Sequence, residues 1–420
     1  MMNNLYILHL LVGFIGLILL AIPFSNNRKA INYKTIFLGI LFQLALGFAL
    51  IKVPFITQFF AYLAEGVSAL QAATTEGTKF VFGYLGGGEA PFLASETGSS
   101  LIFAFSILPF IIVMSCITAV LWFWRVLPVL VQGLSTMCQK LFNIGGPIGL
   151  GSAANVLVGQ VEAPLLIRPY LSKLSNKELL ILLTAGMATV SGSIMVALVT
   201  MLSGQFPDTN LIQHFLTASI LSIPAAIIYS NIMIPSNDIT DFTETTTPRI
   251  YDSTMDAITR GTRDGMDIAL NIGAILIAFI ALVYLVDSAL SILPNIAGEP
   301  ISLQLLLGYI FAPICWLMGI PWEEAIVAGK LLGLKTALNE FVAYGALANL
   351  AEGSLSASSK LIVMYGLCGF ANFSSVGILI SGIGAMAPER KGDLIKVSLK
   401  ALVGATLASC MTGLVIACLI

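Results

Sequence analysis

Gly159-Gln160-Val161-Glu162-Ala163-Pro164 sets a primary amide and a carboxylate two residues apart, between a helix-breaking glycine and a helix-breaking proline. Apolar segments flank the stretch on both sides, 153–158 before it and 165–167 after it. A carboxylate at membrane depth is costly unless it faces a wet cavity or a partner. Interrupted backbone at that depth is tolerated only where protein or water satisfies its polar groups. The two features together predict the tip of a re-entrant hairpin facing a polar solute. The alternative is a structural Glu162 bonded to a neighbouring helix.

The composition supports the membrane setting. Over 420 residues the chain is 57% hydrophobic and 10% charged, with a mean hydropathy of +0.95. Values like these mean a polytopic membrane protein. The net charge of −2 is nearly balanced and points away from nucleic acid as a partner. The six cysteines (Cys116, Cys138, Cys315, Cys368, Cys410, Cys418) lie in or beside apolar runs, without metal-ligand spacing, and read as small core residues. Two distant histidines, His9 and His214, leave a zinc enzyme little to build on. The first apolar run, 5–24, has no basic segment before it and is long enough to span, so it reads as a retained helix rather than a cleaved signal.

Seven further spans are expected near 35–53, 101–120, 179–202, 212–234, 267–290, 361–383 and 394–419. Between the second and third, the chain reads as an amphipathic piece (59–71) and a flexible loop, Gly86-Gly87-Gly88-Glu89-Ala90-Pro91; no Lys-Ser/Thr follows the glycines, which argues against a phosphate loop. Trp122-Phe123-Trp124-Arg125 is an aromatic and basic interface anchor. An amphipathic helix (127–141) then leads through Gly145-Gly146-Pro147 to the hairpin. The segment 236–267 reads as a solvated connection, and 303–320 as apolar sequence broken by Pro313 and Pro321.

A second buried carboxylate lies beside an amide at Leu338-Asn339-Glu340-Phe341-Val342. Two spans are interrupted by small polar residues, Ala188-Thr189-Val190-Ser191-Gly192-Ser193 and Ala371-Asn372-Phe373-Ser374-Ser375. In both halves the order is span, amphipathic helix, hairpin, broken helix, and about 25–30 residues part each Glu from the following break. Corresponding interrupted segments in two halves mark a transporter binding site near the bilayer midplane. The expected architecture is therefore an all-α polytopic membrane protein with eight transmembrane helices, two re-entrant hairpins, an inverted repeat and broken helices at the binding site.

Lys and Arg placement puts both termini outside. Arg28, Lys29, Lys34, Arg125, Lys173, Lys177, Arg249, Arg260, Arg263, Arg390, Lys391 and Lys396 then fall inside, and few basic residues, Lys52 and Lys79 among them, fall outside. Reading either hairpin as a crossing would invert that bias downstream.

Neither tip nor either break carries Lys or Arg, although Lys330 and Lys335 are nearby. A carboxylate or phosphate solute would want cations; this set offers acceptors and amides, which suit a solute with several hydroxyls and a hydrogen-bonding edge. Carbonyls freed at Thr189, with its hydroxyl, suit a small hard cation such as Na⁺. The alternative for Thr189 and Ser191 is back-bonding to the preceding turn.

Gly159-Gln160-Val161-Glu162-Ala163-Pro164-Leu165-Leu166-Ile167-Arg168-Pro169-Tyr170, Leu338-Asn339-Glu340-Phe341-Val342-Ala343 and Gly369-Phe370-Ala371-Asn372-Phe373-Ser374-Ser375 together resemble the concentrative nucleoside transporters, from about Thr97 onward, with the first two spans fitting the eight-helix bacterial form. The resemblance implies a homotrimer in the cytoplasmic membrane, with a scaffold and a mobile transport domain working as an elevator. It implies scaffold at 1–125, transport domain at 126–235 and 301–420, and a cytoplasmic loop with a sixth, scaffold span at 236–300. Gln160 and Glu162 would bind the nucleobase, with Val161 beside them and Ile194 packing on the base; Glu340, Asn372 and Ser375 would bind the ribose, and Phe370 would line the pocket. Asn155, Val158, Thr189 and Val190 would hold the coupling Na⁺, no other cofactor being implied. Substrates of the uridine, cytidine and adenosine type are expected. Val161 stands where the family commonly has Thr or Ser, and Thr189 where sodium-coupled members often have Ser; some members use H⁺. An intramembrane enzyme with Glu162 or Glu340 as base would need a nucleophile or metal nearby, and a passive channel would not need broken-helix cation sites.

Overall fold

Apolar chain at membrane depth has to satisfy its backbone internally, and helices do so within one segment. Among the described residues helix is the only regular structure. The computed structural model describes residues 4–89, 91, 102–142, 144–206, 209–236, 240, 250–295 and 300–420. Ala90 in the glycine-rich loop, Thr97 at the limit of the resemblance, Arg249 and Glu299 lie outside them.

The chain opens with α1 (Asn4–Ala21), α2 (Tyr33–Lys52) and α3 (Pro54–Phe82), then the one-turn α4 (Phe103–Ser106), α5 (Leu108–Phe123) and α6 (Val126–Phe142). The first hairpin is α7 (Gly146–Ala154) with the short α8 (Glu162–Leu165); the divided helix after it is α9 (Asn176–Ala188) with α10 (Gly192–Leu202), and α11 (Leu211–Met233) completes this half. After α12 (Thr254–Leu290) the order returns. It runs α13 (Leu303–Leu317), a hairpin of α14 (Trp322–Ala337) and α15 (Glu340–Ala348), a divided helix of α16 (Ala357–Leu367) and α17 (Phe373–Met386), and α18 (Lys391–Ala417). Both expected breaks are present, at 189–191 and 368–372. By length and hydropathy seven of the eight expected spans pass as membrane-crossing; the eighth is shared between α16 and α17.

Local chemistry fixes the helix ends. Ser175 and Glu178 form a reciprocal capping box at the start of α9. Asn339, Ser356 and Asn372 each cap the helix that follows with a side-chain oxygen. The deepest packing belongs to α9, α11 and α18, buried over most of their lengths and packed on one another. At the centre the two breaks cross. Gly369 has φ +116°, and a Cβ there would lie 2.7 Å from the carbonyl carbon and oxygen of Ala188. Only glycine permits both that dihedral and that approach.

Three expectations change. The amphipathic piece at 59–71 is part of the 29-residue α3, which runs from Pro54 to Phe82 and on into a 3₁₀ turn at Gly83–Gly86. Thr78 Oγ1 donates to Gly86 O at 2.8 Å, folding that turn back on the helix. Next, 236–267 is not all connection: helix starts at Thr254, capped by Ser253 and supported by the Arg260–Asp256 pair at 2.8 Å, and continues without a break into the span. One face of this stretch is small (Ala257, Gly261, Gly265, Ala269), and it packs on α5 so closely that a Cβ on Gly265 would fall 2.7 Å from Ile112 Cα. Finally, Pro313 does not end α13; the chain turns by 119° at 318–321 instead.

Candidate solute-binding site

Two hairpin tips and two helix breaks meet at one place. In the second hairpin Asn339 accepts from Val342 N–H at 3.0 Å, which leaves Glu340 in the first turn of α15, where the helix end favours a carboxylate. At the second break Asn372 Oδ1 accepts from Ser375 N–H at 2.8 Å, and Asn372 Nδ2 donates to Glu340 Oε2 at 3.0 Å. One amide thus caps α17 and orients the acid. The first hairpin joins through Gln160, whose Nε2 donates to Ser375 Oγ at 3.1 Å. Glu162 accepts from the Gly159 N–H and closes its own tip. Glu340, Asn372 and Ser375 are all buried.

Between these groups is a cavity of about 440 Å³, within the size range of small-molecule sites. All eight residues expected to bind solute line it: Gln160, Val161, Glu162, Ile194, Glu340, Phe370, Asn372 and Ser375. No Lys or Arg does. The buried Gln160 Oε1 has no partner among the described residues. Carboxylates, amides and a hydroxyl beside the apolar side chains of Ile194 and Phe370 can hydrogen-bond a neutral polyol and pack on a flat ring.

Sequence reasoning missed the opposite wall. Ile268, Asn271, Ile272 and Ile275 of α12 face the cavity, and Ser191 and Ser374 add hydroxyls. Asn271 had a signal that went unused: it is the single amide or charge between Asp267 and Asp287, and polar groups inside a span are functional candidates.

The four residues expected around a cation sit beside this cavity, at the end of α7 and the break after α9. Asn155, Thr189 and Val190 are buried and Val158 is half-buried. Asn155 Nδ2 donates to Gly151 O at 3.0 Å, while Asn155 Oδ1 is buried without a partner among the described residues. An acceptor left over in this way fits a cation. Thr189 Oγ1 donates to Ala185 O at 2.9 Å, the back-bonding weighed from sequence, and its lone pairs remain available. Ser219 holds the break from behind, accepting from Val190 N–H at 3.3 Å.

The histidines are accounted for elsewhere: His9 stacks on Trp316 and lies 2.7 Å from its carbonyl oxygen, and His214 pairs with Tyr365 Oη at 2.8 Å.

Three family descriptions match in chain order: Na⁺ dependent nucleoside transporter N-terminus over residues 12–85, nucleoside recognition over 104–205, and Na⁺ dependent nucleoside transporter C-terminus over 214–417. The chain is 32% identical to the nucleoside permease NupC of Helicobacter pylori, covering 96% of this chain and 95% of that one. The chain belongs to the concentrative nucleoside transporter family. Another relative is the sodium/nucleoside cotransporter 1 of Sus scrofa, 31% identical over 93% of this chain and 61% of that protein. Among solved structures this concentrative nucleoside transporter chain is similar to CNTnw in an inward-facing substrate-bound state, with TM-score 0.86, 31% identity and 98% and 97% of the two chains covered. It is equally similar to a CNTnw variant in an outward-facing state, with TM-score 0.87, 30% identity and 99% and 98% covered. Members of the family are multi-pass membrane transporters and not enzymes, which removes the intramembrane-enzyme reading.

Proposed function

We propose that this protein carries nucleosides into the cell across the cytoplasmic membrane, coupled to Na⁺, by an elevator motion of a homotrimer's transport domains. Gln160 and Glu162, with Val161 beside them and Ile194 on the ring, hold the nucleobase; Glu340, Asn372 and Ser375 hold the ribose, and Phe370 lines the pocket. Asn155, Val158, Thr189 and Val190 hold the Na⁺ that travels with the solute. The observation that carries the reading is the Gln160–Ser375 and Asn372–Glu340 pair of hydrogen bonds, which closes one cationless cavity from both halves of the chain.

In the same reading the scaffold is 1–125 with the sixth span, the transport domain is 126–235 with 301–420, and both termini are outside, an orientation that the Lys and Arg bias supports. Names among the relatives support sodium as the coupling ion, and so does the unpartnered Asn155 Oδ1.

The test is radiolabelled uridine, cytidine and adenosine uptake into proteoliposomes under an imposed Na⁺ gradient. Accumulation above the outside concentration is expected with Na⁺ and is lost when choline replaces it at fixed pH. Uptake that follows a pH gradient without Na⁺ would make H⁺ the coupling ion. Uptake that never exceeds the outside concentration would make the protein a passive channel.

A further inference from the structure

Behind Glu162, away from the solute cavity, lies a second chamber of about 80 Å³ between the first hairpin, the first break, α5 and α12. It is lined in part by Thr118, Trp122, Val158, Glu162, Ser191 and Asp264. Glu162 and Ser191 border both spaces, so the partition between them is a single layer of side chains. Val158, one of the four cation-site residues, is on the chamber side. Asp264, also on its wall, is exposed, at the end of the bundle that carries Arg125 and Arg260.

What fills the chamber follows from its walls. Glu162 stands there beside the hydroxyl-bearing Thr118 and Ser191, with the exposed Asp264 on the same wall. The carboxylates of Glu162 and Asp264 only accept when ionised, so their neighbour has to donate or be positive. Water satisfies them, and the volume has room for a few molecules. A wet space edged by two carboxylates and hydroxyls is a low-cost path for a small cation and a poor one for a nucleoside, which is far too large for it.

We propose that this chamber is a hydrated side passage by which the coupling cation leaves its site past Glu162 toward Asp264, separate from the route of the solute. The inference rests on the cation-coupled reading above and assigns Asp264 as a guiding residue that does not touch solute. The test compares two assays on Asp264→Asn in proteoliposomes. Net Na⁺-driven uridine uptake requires the cation to be released; uridine exchange at equal saturating Na⁺ on both sides does not.

The expected result is a fall of about tenfold in net uptake, the scale of one lost interaction with a charged group, with exchange unchanged and Asp264→Glu restoring uptake. Thr118→Val, which keeps shape and removes a hydroxyl, is expected to lower net uptake in the same sense and spare exchange. It is the deciding variant if Asp264→Asn does not reach the membrane. Equal losses in both assays, or none in either, overturn the passage. Should wild-type protein ignore a Na⁺ gradient altogether, it is the sodium assignment that fails; the passage is then read with a proton gradient, where the same split between net uptake and exchange is expected and its absence overturns it.

Discussion

Glu340 is the residue on which the cavity's polarity turns. Asn372 orients its carboxylate, the start of α15 favours its charge, and its surroundings are otherwise buried. Glu340→Gln keeps the shape and replaces one acceptor oxygen with a donor. Uridine KM is then expected to rise at least about tenfold, since a hydrogen bond to a charged acceptor contributes ~1.5–3 kcal/mol; uptake at matched membrane levels measures it, and an unchanged KM would exclude the ribose role. Asn271→Leu addresses the opposite wall. Solute affinity is expected to change while the Na⁺ half-saturation stays put, because Asn271 borders the solute cavity and is not among the four cation residues. The contrast between these residues shows what was legible. Glu340, Gln160 and Asn372 stand in motifs that recur in both halves beside backbone breaks, so the sequence marks them twice. Asn271 has no counterpart in the other half; its one signal is to be the lone amide inside its span, and only the packing of α12 shows that it meets the cavity.

At the scale of elements, the α5–α12 contact governs how the cavity's facing wall is held. Ala257, Gly261, Gly265 and Ala269 recur every four residues and bring the two backbones together. Gly265→Val has to force Ile112 and Ser115 aside. A loss of about 1–3 kcal/mol is expected, the usual cost of overpacking, read as a lower midpoint for thermal unfolding in detergent; a midpoint equal to wild type would mean that the helices part easily. This contact was invisible beforehand because 254–267 is polar enough to read as a connection, yet its i,i+4 charge pair and small-residue face are both helical signals. Pro313 misled in the opposite direction. Proline is a strong local breaker, but α13 runs through it and turns only where Gly319 adopts φ +91°.

For the whole molecule, the order of elements was readable because it is written twice, and hairpin followed by divided helix leaves the same polar interruptions each time. What one line of sequence could not supply was how the copies meet. That is decided by tertiary geometry, where Gln160 reaches Ser375 and Gly369 crosses Ala188 with no space for a side chain. The crossing has a consequence for assembly. Each copy supplies half of a keystone, so a chain severed within 236–253 would yield two pieces that are inert when made separately and regain uptake when produced in the same cell. A lone piece that still retained labelled uridine would mean that the duplication had produced two self-sufficient carriers, not one.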